Sequence, residues 1–148
     1  MVVEDYLQIL READEKTLFT PTDDWLRKKY DEMNALVFGG VLGSCRLGIF
    51  TKGKGSEGHR LGYFHVKPEY SVKFKWSWRN GVKGIQAYVK SGYNEFTITD
   101  EDFSYYMNPQ IYLNGNYVWT EKAALSTLVH EMCHYYDHRD GFFEAYGR

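Results

Sequence analysis

The sequence predicts an α+β domain: a small antiparallel sheet packed against helices, with a motif-bearing helix near the C-terminus. Three observations carry that expectation. Apolar residues recur at helical spacing between 22 and 37, residues 71–90 alternate with period two around an Asn-Gly pair, and 120–139 reads as a second helix. At 148 residues, with 43% hydrophobic and 18% aromatic side chains, the chain has the size and composition of one domain with its own core. No repeat, low-complexity tract or proline-rich linker divides it, so residues 1–148 are read as one unit.

Taken in order, residues 3–17 can form a short helix with Tyr6, Leu7 and Leu10 on one stripe. Pro21-Thr22-Asp23-Asp24 offers N-cap chemistry for the next helix, in which Leu26, Tyr30, Met33 and Val37 share a face. Gly39-Gly40 supplies its stop. Strands are expected at 44–51 and 60–67, joined by the glycine-rich KGKGSEGH loop. From 71 to 79, Val72, Phe74, Trp76 and Trp78 fall on one face, with Lys73, Lys75, Ser77 and Arg79 on the other. Asn80-Gly81 is a strong hairpin signal that returns the chain through 82–90. Gln110–Asn114 reads as a last strand. Thr120 caps a helix whose apolar side is Ala124, Leu125, Leu128, Val129 and Met132, with a stop expected at Asp140-Gly141.

Composition excludes several classes of function. No apolar run approaches the ~20 residues of a membrane span. The first residues carry acids where a secretory signal needs bases, and Cys45 and Cys133 are too few for a disulfide framework. A cytoplasmic protein is expected. The net charge of −2 is unevenly spread: ten bases lie between Arg46 and Lys90, opposed only by Glu57 and Glu69. Two readings stand for such a segment: a solvated face of the sheet, or a site for a polyanion such as DNA, with binding that weakens steeply in salt. Phe74, Trp76, Trp78 and Tyr88 supply aromatic partners for bases. Strict alternation, however, turns the tryptophans away from the lysines and toward a core.

The motif that carries chemistry is His130-Glu131-Met132-Cys133-His134. On a helix the two histidines lie about 40° apart and one turn along the axis, so both imidazoles can reach one metal ion at about 2.0–2.1 Å. Glu131 is offset by about 80° from their bisector, which suits a base acting beside the metal and not a ligand. Met132 points the opposite way, toward the core. His59 and His65 receive no role.

Around this motif the sequence resembles the SprT-like (Spartan-type) zinc metallopeptidase domain, a zincin. The resemblance runs from about Trp25 to the C-terminus: LRKKYDEMNALVFGGVLG, the strand at Cys45–Phe50, QIYL at 110–113 and AALSTLVHEMCHYYD. It implies a zincin-like fold and a metalloendopeptidase acting on protein or peptide, including DNA-associated protein. It also implies Zn²⁺ held by His130 and His134, with Glu131 as catalytic acid/base. The family's third ligand is a histidine beyond a glycine turn after the helix, and no histidine follows His138 here. The chain is therefore expected to continue past Arg148 and, as it stands, to bind zinc weakly and turn over slowly. His138 could serve only if the helix broke near Tyr136, while Glu144 and Tyr146 are expected past a turn. A substrate strand is expected beside 110–113. The rival reading is a non-catalytic nucleic-acid-binding module on the same frame.

Overall fold

The computed structural model describes residues 3–51, 60–67, 104 and 107–146, together with strand backbones at 72–79, 82–89 and 95–97; at 142–146 it describes the backbone alone. The order is α1 (Glu4–Glu12), α2 (Asp23–Val37), β1 (Arg46–Phe50), β2 (Gly62–Val66), β3 (Val72–Arg79), β4 (Val82–Val89), β5 (Glu95–Thr97), β6 (Pro109–Asn114) and α3 (Glu121–Tyr146). This is an α+β arrangement, with α3 at its C-terminal end.

α2 forms where its cap and apolar spacing place it. The Thr22 hydroxyl accepts a hydrogen bond from the Trp25 N–H at 3.1 Å, and Leu26, Tyr30, Met33 and Val37 are all buried. Gly39 and Gly40 take φ of +63° and +74°, which a side chain would resist, and the Gly40 N–H closes onto the Asn34 carbonyl at 2.8 Å. Three side chains of α2 then fix the loop into β1. The Asn34 amide donates to the Leu42 carbonyl and accepts from the Leu42 N–H, the Tyr30 hydroxyl donates to the Gly43 carbonyl, and Arg27 donates to the Cys45 carbonyl. Loop carbonyls that would otherwise be costly to bury are thereby satisfied.

The sheet beneath these helices is mixed, not antiparallel. Its strand order is β1-β6-β2, with β1 parallel to β6 (Leu47 opposite Ile111) and β2 antiparallel to it (Phe64 opposite Ile111). Parallel neighbours need a long crossover, and the chain between β1 and β6 supplies one; hairpin signals in sequence report only local antiparallel pairs. Because β6 lies in the middle, both of its edges are taken. The expected site for a substrate strand beside 110–113 is therefore closed, and the edges of this sheet are β1 and β2.

A second sheet, β3-β4-β5, is antiparallel throughout, and Arg79 opposite Val82 is the pairing an Asn-Gly hairpin would give. The turn itself, the KGKGSEGH loop and the side-chain faces of the tryptophans and lysines in β3 lie outside the described residues. So do the side chains of seven of the ten bases between Arg46 and Lys90; Arg46, Arg60 and Lys67 are described and exposed.

Two further expectations change. α1 is shorter than 3–17, and its inward stripe is Tyr6, Ile9 and Leu10, with Leu7 at 39% exposure: residues at i, i+3 and i+4 share a face, and Leu7 falls outside it. α3 does not stop at Asp140-Gly141 but continues through Gly141 to Tyr146. Glycine ends a helix when it adopts positive φ, and Gly141 does not; within a helix it costs about 1 kcal/mol relative to alanine and is tolerated. Glu144 and Tyr146 therefore lie on α3 and not beyond a turn. Glu144 is about 15 Å along the axis from His134 at 1.5 Å per residue.

Candidate metal centre

α3 starts where Thr120 accepts a hydrogen bond from the Ala123 N–H through Oγ1 at 3.2 Å. Its inward side, Ala124, Leu125, Leu128, Met132 and Tyr135, is buried against α2 and the inner face of β6, where Ile111 and Leu113 are fully buried. His130 and His134 stand exposed on the opposite, open side of the helix.

The two imidazoles meet with Nε2 atoms 3.1 Å apart and ring planes at 90°. They share one hydrogen bond, whose donor depends on the tautomer. Two nitrogens at this spacing, each about 2.0–2.1 Å from a common ion, subtend roughly 95–100°, close to a tetrahedral opening. Donor type and spacing therefore fit a transition-metal ion. With Glu131 they form a group whose ligand atoms all lie within 4.8 Å of one another, and this group could hold a metal ion.

Glu131 differs from its neighbours in burial, at 6% exposure. Its carboxylate accepts a hydrogen bond from the backbone N–H of Phe64 in β2. Burial raises its pKa above the usual carboxylate value, and the two imidazoles, the Arg60 charge and the Phe64 N–H offset only part of that. The result is a carboxylate tethered beside the imidazole pair with a raised affinity for a proton. The tether exists because β2 is an edge strand whose Phe64 N–H is not consumed by β6, and because Phe64 stacks on Tyr135 of α3 at 5.5 Å.

β2 lies close to α3 because residue 62 is glycine. A Cβ there would stand 2.9 Å from the Tyr112 carbonyl oxygen and 3.0 Å from Thr127 Cγ2, too near both. Between β2 and α3 runs an open groove with two lobes. One, of about 510 Å³, is lined by Leu61, Ser126, Thr127 and His130; the other, of about 410 Å³, by Tyr63, Phe64, His134 and His138. Arg60, Gly62 and Glu131 border both.

His138 sits one turn beyond His134 on the unbroken helix, edge-on to Phe64 at 5.9 Å, and burial lowers its pKa toward the neutral ring. It is not part of the close group; among the described residues that group is His130, Glu131 and His134. His65 lies on the other face of the sheet, stacked with Tyr63 and Tyr112, and His59 lies outside the described residues. Sequence reasoning missed Arg60, Gly62 and the Phe64 N–H. Of these, only Gly62 offered a signal, as a glycine at the start of a strand where backbones crowd.

The chain matches no family model, no curated protein and no solved structure.

The two cysteines are free thiols. Cys45 is buried, its pKa pushed up to about 12 chiefly by burial, and Cys133 on the flank of α3 is half-buried. No described helix is long and apolar enough to cross a membrane.

Proposed function

We propose that this protein is a zinc-dependent metalloendopeptidase of the SprT-like type on a zincin-like frame, hydrolysing peptide bonds in proteins that include DNA-associated ones. The observation that carries the reading is the Nε2 pair of His130 and His134 at 3.1 Å beside a buried carboxylate tethered to an edge strand. Glu131, offset around the helix from the histidines, supports a base beside the ion better than a third ligand.

His130 and His134 would hold the metal through Nε2, and zinc suits paired imidazoles. When bound there, zinc supplies Lewis acidity that brings the pKa of water toward 7 and polarises a carbonyl. Glu131 takes the proton from the attacking water and returns it to the leaving amine. A carboxylate whose proton affinity is raised by burial serves both halves of that task. The Phe64 N–H keeps the carboxylate aimed between these two acts. β2 offers an extended substrate an edge to lie along, and the two lobes give chain room on both sides of the scissile bond, as an endopeptidase requires. The free thiols at Cys45 and Cys133 support a cytoplasmic setting.

A second reading, a nucleic-acid-binding module without catalysis, is favoured by one observation, the ten bases against two acids between Arg46 and Lys90. The same charge would also bring a peptidase to protein on DNA, so the readings part at turnover. The experiment is digestion of an unfolded protein substrate by the chain with added zinc, with and without DNA. Cleavage abolished by a chelator and restored by zinc is expected. DNA binding with no cleavage under any of these conditions would favour the second reading.

A further inference from the structure

Arg60 lies two residues before β2, and its backbone is fixed by a buried node at the end of the sheet. Its carbonyl accepts a hydrogen bond from Asn114 Nδ2 at 2.9 Å, and the next carbonyl, of Leu61, accepts from the Asn114 N–H at 2.8 Å. Asn114 is 5% exposed, and its own carbonyl is held by the Trp119 indole N–H at 2.8 Å. A residue pinned in this way holds its Cα at one place on the groove rim.

Arg60 is exposed and borders both lobes of the groove, and its charge reaches Glu131, which also borders both. No carboxylate forms an ion pair with it among the described residues. Glu131, the acid nearest in the groove, feels the Arg60 charge without forming an ion pair with it, and takes its hydrogen bond from the Phe64 N–H. The cleft thus carries a guanidinium, anchored at its backbone, whose planar donors match a carboxylate in two parallel hydrogen bonds.

We infer that Arg60 is a specificity-determining residue of the groove, taking an Asp or Glu side chain of a substrate peptide within a residue or two of the scissile bond. The inference rests on the peptidase reading of that groove for its substrate class. It goes beyond that reading in naming the acidic residue and its partner. Arg60 does not touch the reacting atoms in this account; its contribution is to binding, and it shows as preference.

The test separates this inference from the peptidase reading by using binding as its first readout. Zinc-loaded chain carrying Glu131→Gln, which holds substrate without turning it over, is titrated with two labelled extended peptides that differ in one central residue, Glu or Gln. The Glu peptide is expected to bind about tenfold more tightly, in line with a charge-assisted bidentate pair in a partly desolvated cleft. Adding Arg60→Gln should bring the two affinities together, and Arg60→Glu should shift the preference to a Lys peptide. Equal affinities with Arg60 present, a preference that survives Arg60→Gln, or no binding of either peptide at millimolar concentration would each overturn the inference. So would an Arg60→Gln variant with Glu131 intact that leaves the ratio of kcat/KM between the two peptides unchanged. A Glu preference that depends on Arg60, in a protein that cleaves nothing, would support the carboxylate site and overturn the peptidase reading alone.

Discussion

On the inward side of α3, Leu125, Leu128, Met132 and Tyr135 are at most 1% exposed, whereas on the outward side His130 and His134 stand in solvent along the wall of a groove. One helix thus carries two codes. The inward side is written in volume and hydrophobicity, and it must match α2 and β6. The outward side is written in donor atoms at one-turn spacing, and its job is to converge on a point. Glu131 lies at the seam, buried like the first set yet polar like the second, and the Phe64 N–H makes that position tolerable. Damage to one side should therefore leave the other largely intact, and variants can be chosen to break that separation.

The largest expected effect is at the seam. Glu131→Gln should keep bound metal and fold while lowering kcat by about 10²–10⁴-fold, because an amide cannot take a proton from water. Metal analysis and steady-state kinetics on the same preparation check this. Loss of metal together with activity would make Glu131 a ligand and move it wholly to the outward side.

On the inward side, Leu128→Ala should cost about 2–5 kcal/mol of stability, as expected for a fully buried leucine that leaves a cavity. Denaturant unfolding measures it. The molecules that remain folded should bind metal with unchanged stoichiometry, since Leu128 points away from both imidazoles. A smaller change is expected at the start of the helix: Thr120→Ala removes the hydroxyl that accepts the Ala123 N–H and should cost about 1 kcal/mol, with no change in metal binding. If either variant lost the metal at native fold, the two sides would be coupled more tightly than the geometry indicates.

The same contrast explains what the sequence disclosed. The helical apolar patterns of α2 and α3 and the Thr22 and Thr120 caps were legible because each is written within a few consecutive residues. The His130–Glu131–His134 group was legible for the same reason, being one helical turn. The parallel pairing of β1 with β6 was not, because it joins residues about sixty positions apart and leaves no local mark. The continuation of α3 through Gly141 was misread because glycine permits a stop without compelling one. The wall of the groove opposite α3 was invisible for a further reason: its contribution to Glu131 is a backbone N–H, which every residue but proline carries, and only the fold decides which one is left unpaired.

The central claim is that His130 and His134 together hold one metal ion. Zinc titration of metal-free chain, read at equilibrium by calorimetry so that a weakly held ion is counted, tests it directly in parallel with the His130→Ala/His134→Ala double variant. The account predicts one zinc per chain for the intact pair and none for the double variant, with both proteins equally folded by circular dichroism, because the two rings lie outside the core. A double variant that keeps its zinc, or an intact chain that takes none at saturating metal, would contradict it.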